Sequence, residues 1–92
     1  MQFLVRMDVR LPHDMSQEVA DDLRARERER ALEIQRSGRW PELWRIVGQY
    51  ANYSRFDVAS GDELHELLSS LPLFPYMQIE VTALTRHPSK LD

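Results

Sequence analysis

Glu27 interrupts the apolar stripe of a long, otherwise heavily charged segment, at a position where leucine would be expected. Counted at about 100° per residue, Ala20, Leu23, Glu27, Ala31 and Ile34 recur at three- and four-residue steps and share one face of a helix. The carboxylate therefore points inward. Out of water, a carboxylate is costly unless paired or protonated, and its pKa rises toward neutrality, the range that suits a general acid/base. A structural reading stands beside this one: a boundary residue whose carboxylate reaches solvent or pairs with Arg24 or Arg30. The stripe alone leaves both open.

Other residues with chemical potential cluster between positions 40 and 54. Trp40, Trp44, Arg45, Tyr50, Asn52, Tyr53 and Ser54 supply hydrogen-bond donors beside apolar walls, in a segment that the Glu27 helix should cover. Aromatic residues in such a segment are also ordinary core material, Trp44 and Phe56 in particular. Arg45, in mid-strand, is either a subunit-interface ion pair or a clamp for a substrate carboxylate. Arg24 and Arg28 flank Glu27 on the helix and add positive charge at a pocket rim. His13, His65 and His87 lack metal-ligand spacing, and no phosphate-binding glycine loop, nucleophile elbow or cysteine is present. Neither a metal nor a cofactor is expected.

The elements that position these residues follow from periodicity. Phe3, Val5, Met7, Val9 and Leu11 alternate with Gln2, Leu4, Arg6, Asp8 and Arg10, a two-faced strand ended by Pro12. Ser16 is the expected N-cap of a helix running to about Ser37, with Gly38 in the left-handed position beyond it and Asp22–Arg26 adding surface support. From Trp40 to Val58 the chain is rich in aromatic and β-branched residues, and a turn near Gly48 and Gln49 splits LWRIV from YANYSRFDV into a hairpin. Ser60 to Glu63 forms a capping-box pattern ahead of the stripe Leu64, Leu67, Leu68 and Leu71, which Pro72 stops. Met77, Ile79 and Val81 alternate with Gln78, Glu80 and Thr82 as the last strand, leaving a C-terminal tail from about residue 84.

The order βαββαβ is the ferredoxin-like plan, an α+β fold with a four-stranded antiparallel sheet and two helices on one face. The other sheet face carries Leu4 among Arg6, Asp8 and Arg10, too mixed for a core and suited to a second copy of the sheet. A homodimer that closes as a dimeric α+β barrel is the natural expectation. The pocket then lies between the first helix and the sheet.

Length and composition agree. Ninety-two residues make one domain, residues 1–92, with little core to spare. The 42% hydrophobic and 29% charged content is an ordinary soluble balance, and the net charge of −3 argues against a nucleic-acid surface. The charged, alternating opening MQFLVRMDVRLP is neither a signal peptide nor a membrane span, so a cytoplasmic protein is expected.

The runs GRWPELWR, YANYSRFDV and LPLFPYM, preceded by FLVRMDVRLPHDM and followed by TALTRHPS, closely resemble the muconolactone Δ-isomerase family over essentially the whole chain. The resemblance implies a cofactor-independent enzyme of the β-ketoadipate branch of aromatic catabolism. It converts muconolactone to 3-oxoadipate enol-lactone, on ferredoxin-like subunits paired as dimers and built into a decamer. Glu27 matches the family glutamate and takes the role of the single base that moves a ring proton. Tyr50, Asn52 and Trp40 become candidate donors to the dienolate oxygen, and Arg45 with Arg24 or Arg28 becomes the cation for the acetate arm. Family members commonly carry lysine where this chain has Arg24 and Arg28, which keeps the charge and changes the geometry.

Three other functions compete. Relatives that dehalogenate 5-chloromuconolactone, or that accept methyl-substituted lactones, share much of this pattern. RNA-recognition motifs share the βαββαβ order, but strand one lacks the matching aromatics and the third strand lacks a basic lead-in. A non-catalytic dimeric scaffold requires Glu27 to be merely an exposed or paired helix residue.

Overall fold

Alternation of apolar and polar residues gives strand β1 over Gln2–Val9 in the computed structural model, which describes the whole chain from Met1 to Asp92. Phe3, Val5 and Met7 are buried on one face. The strand ends two residues before the sequence pattern does. Beyond Val9 the Arg10 amide makes one more bond, to the Tyr76 carbonyl, and Pro12 then has no N–H to continue the ladder.

Helix α1 spans Gln17–Arg36, started by Ser16, whose hydroxyl accepts from the Val19 amide. Ala20, Leu23 and Ile34 of the stripe are buried, and Asp22 pairs with Arg26 at 3.1 Å on the outer face. Gly38, at φ 84°, turns the chain out of the helix. Strands β2 (Glu42–Arg45) and β3 (Ala51–Asp57) form the hairpin, with Gly48 at φ 78° in its turn. Ile46 and Val47, expected in the strand, belong to the turn instead: the Ile46 carbonyl accepts from Gln49, and Val47 is 95% exposed.

Helix α2 spans Gly61–Ser69, with the Ser60 hydroxyl accepting from the Glu63 amide. The Glu63 carboxylate reaches back to the Ala59 amide, one residue before the cap itself, so the box is offset. A 3-10 turn at Phe74–Tyr76 leads into β4 (Met77–Leu84). The sheet order is β2-β3-β1-β4 with every pair antiparallel, the ferredoxin-like α+β arrangement. Leu64, Leu68 and Leu71 meet Phe3, Val5, Met7 and Phe56 in the core, where Trp40 stacks on Phe56 with ring centroids 4.8 Å apart.

The face of the sheet away from the helices is open. There Arg6 bonds Asp8 and Gln49, each at 2.9 Å, and its guanidinium lies 5.5 Å from the centre of the Tyr53 ring. Arg55 ties β3 to Glu42 and Gln2 at 2.6 and 2.7 Å. Trp44 and Tyr53 correct the sequence reading that grouped them with the residues under α1. They are register partners, one residue out of phase with Arg45 and Asn52, so the strand period turns them to the open face, where Trp44 is 51% exposed.

Candidate active site

A cleft of about 790 Å³ opens between α1 and the β2–β3 hairpin. Helix α1 contributes Arg24, Glu27 and Arg28, the hairpin contributes Arg45, Tyr50 and Asn52, and Trp40 lies on the segment joining helix to hairpin. The seven residues given a catalytic or substrate-binding role from the sequence therefore line one cavity, whereas Trp44, Tyr53 and Ser54 do not. The strand parity that sends Trp44 outward is what turns Arg45 and Asn52, directly paired in the β2–β3 register, toward the helix.

Glu27 is half-buried, and its partner is not an arginine. Oε1 accepts from the backbone amide of Leu73 at 2.9 Å. Burial raises the pKa of the carboxyl above its ordinary value, and the Leu73 amide offsets part of that rise by favouring the charged form. The arginines suggested as structural partners are engaged elsewhere. Arg30 donates to the Ser70 hydroxyl at 2.9 Å and to Glu33, while Arg24 donates to the Tyr50 hydroxyl at 3.3 Å and pairs with Asp21 at 3.7 Å. Glu27 is also the sole carboxylate in the cleft wall.

Three guanidinium groups, of Arg24, Arg28 and Arg45, line the same cleft as that one carboxylate. Arg24 and Arg45 both lie over the Tyr50 ring, at 5.6 and 5.5 Å from its centre, so the tyrosine is flanked by cations from two different elements. Arg28 and Arg45 form no ion pair with any carboxylate of the chain. Cations left unpaired at the wall of an apolar cleft favour an anionic ligand.

The donors have distinct states. Trp40 is only 3% exposed, and its indole N–H is buried without a partner. A buried N–H left without a partner is a free-energy cost. Asn52 accepts at Oδ1 from the Ser54 hydroxyl at 2.8 Å, which leaves its amide N–H2 for the cleft. Tyr50 accepts from Arg24 and keeps its own hydroxyl proton to give.

Sequence reasoning missed the Leu73 amide, and Ser54, grouped there with the cleft donors, is instead fully buried and bonded to Asn52. The first is a main-chain group with no residue-type signature; Pro72 and Pro75, on either side of Leu73 and Phe74, are the available sign that this turn is rigid. No cluster of three or more His, Asp or Glu side chains is placed to hold a metal, and no helix is long and apolar enough to cross a membrane.

A half-buried carboxylate that shares its cleft with donors and unpaired cations suits proton transfer on an anionic substrate, and comparison with known proteins points to the same chemistry. The family model described as muconolactone delta-isomerase matches residues 1–90. A muconolactone Δ-isomerase of Cupriavidus pinatubonensis is 62% identical over 99% of both chains, and one of Rhodococcus opacus is 60% identical over 95% of this chain and 94% of its own. A crystal structure of muconolactone isomerase, 55% identical, superposes with a TM-score of 0.94 over 100% of this chain and 96% of that one. At such identity over the full length, fold and sequence agree that the chain belongs to the muconolactone Δ-isomerase family.

Proposed function

We infer that the protein isomerises muconolactone to 3-oxoadipate enol-lactone, with Glu27 as the single base. The observation that carries this reading is the Glu27 carboxylate itself: half-buried, held at Oε1 by the Leu73 amide, and free of any cationic partner. Oε2 is then the oxygen available to substrate.

The reaction moves a ring double bond by one position. The carboxylate removes the proton on the ring carbon that bears the acetate arm, whose acidity comes from conjugation through the double bond to the lactone carbonyl. The electron pair spreads into a dienolate with its charge on the carbonyl oxygen. The same carboxyl, now protonated, returns the proton to the carbon next to the carbonyl, and the double bond ends beside the ring oxygen. No atom is gained or lost, so no cofactor is needed. A carboxyl whose pKa is raised by burial is a stronger base when ionised and remains a usable acid afterwards.

The barrier lies in forming the dienolate, and fixed donors aimed at its oxygen lower it. Trp40, with its unpartnered N–H, and Asn52, with its free amide, are the donors best prepared for that work. Arg45, with Arg24 and Arg28 at the rim, binds the acetate carboxylate and thereby fixes which ring carbon meets Glu27.

The subunit acts within a homo-oligomer. Two copies pair through their open sheet faces as a dimeric α+β barrel, and dimers assemble toward a decamer, as the family resemblance implies. What supports the pairing is the exposed Trp44–Tyr53 pair beside Arg6 and Arg55 on an otherwise uncovered face.

An ultraviolet assay of purified protein with muconolactone and its 5-chloro analogue tests the reading. Isomerisation of the unsubstituted lactone at an enzymic rate is expected. Turnover of the chloro compound alone, with chloride release, identifies a dehalogenase, and no turnover of either identifies a scaffold.

A further inference from the structure

We propose that Ser54, sealed in the core behind the cleft, is a positioning residue whose hydroxyl locks the Asn52 carboxamide so that its N–H2 group faces the lactone oxygen. The proposal rests on the isomerase reading above.

Ser54 is the one polar side chain among the 15 buried residues of the chain, at 0% exposure. Its register neighbours are Val5 on β1 and Leu43 on β2, so the position is built for an apolar side chain. A hydroxyl there is costly unless it is bonded. Its side-chain partner is Oδ1 of Asn52, at 2.8 Å. Two residues apart on one strand, Ser54 and Asn52 project to the same face, but only Asn52 reaches the cleft wall.

The direction of this bond decides what the cleft presents. A carboxamide is nearly symmetric in shape, and rotation by a half-turn exchanges its carbonyl oxygen for its N–H2 group. With the Ser54 hydroxyl donating to Oδ1, the amide nitrogen is turned away from the core and toward the cavity. Without that hydroxyl, the carboxamide is free to turn its oxygen toward the substrate. An acceptor facing the developing dienolate repels it, whereas the ground-state carbonyl, carrying less charge, is affected less. The cost therefore falls on the chemical step more than on binding.

The test is a double-mutant cycle on the full chain, with kcat and KM measured for muconolactone and thermal melting as the check on folding. Ser54→Ala is expected to lower kcat about tenfold while KM moves less than about twofold. Asn52→Ala is expected to lose more, and adding Ser54→Ala to it is expected to change kcat no further, because the hydroxyl acts through the missing amide. Ser54→Cys, close in volume and a weak donor, is expected to fall between serine and alanine, and it replaces alanine in the cycle if Ser54→Ala does not fold. An unchanged kcat in Ser54→Ala, or the same loss with and without Asn52, overturns the positioning role. Wild-type turnover with either of those results overturns this inference alone, whereas a wild-type protein inert toward muconolactone overturns the isomerase reading beneath it.

Discussion

The backbone amide of Leu73 donates to Oε1 of Glu27 at 2.9 Å, joining the turn after α2 to the middle of α1. This bond anchors one carboxylate oxygen without placing a cation beside it. An arginine in the same position would stabilise the charged form strongly and depress the pKa; a single amide offsets only part of the desolvation. Glu27 thus keeps a raised pKa and a defined orientation together, the two properties a proton shuttle needs.

A raised Glu27 pKa fixes the sign of the pH dependence. With Glu27 as the proposed base, kcat/KM is expected to fall as pH drops through the Glu27 pKa, with the acid limb displaced above the ordinary carboxylate range. A pH–rate profile with muconolactone checks this, and an acid limb at the position of an exposed glutamate contradicts it.

Stability carries the same signature with the opposite consequence. In the window between the unfolded and folded pKa values, the native state holds more protons than the unfolded chain, so Glu27 costs stability as pH rises through that window. Glu27→Gln keeps an acceptor for the Leu73 amide and removes the buried charge. The variant is expected to melt above wild type at neutral pH, with the difference closing as the pH falls through that window and gone below the ordinary glutamate range.

Arg45→Met is expected to raise KM for muconolactone about tenfold or more while kcat changes little, since the proposed charge-assisted bond to the acetate arm would contribute about 1.5–3 kcal/mol. A lactone without the acetate arm should be insensitive to the change. Altered oligomer size with an unmoved KM would place Arg45 at the subunit interface instead.

Trp40→Phe retains an aromatic ring to stack on Phe56 and deletes the orphaned N–H. Loss of an oxyanion donor in a buried site costs on the order of tenfold to a hundredfold in kcat. Stability is expected to hold or rise, because the variant removes an unsatisfied buried donor. Thermal melting and kcat on the same sample check both.

On the open sheet face, Trp44→Glu puts a charge into the proposed subunit contact and is expected to shift the sedimentation profile toward smaller species. Subunits that still fold and keep the wild-type mass distribution would show that the sheet faces do not pair.

Much of this architecture is legible in the sequence, because period-two and helical stripes report directly on which face each residue takes. The displacement of Glu27 from an apolar role is visible as a break in such a stripe. The open-face position of Trp44 and Tyr53 is not legible there, because composition marks a hairpin without marking its phase; one residue of register exchanges the cleft face for the open one. The Leu73 amide left no trace, since any residue but proline offers the same donor. Ser54 looked like one more polar residue in YANYS, and its meaning depends on complete burial, a property of the packed core.

Whether Glu27 alone carries the proton between two ring carbons is decided by ring-proton exchange and isomerisation of muconolactone in deuterated water with folded Glu27→Gln protein. The expected result is loss of both by at least about a thousandfold, with secondary structure and assembly kept, because no other carboxylate lines the cleft. Near-wild-type exchange or turnover by that variant would contradict the account.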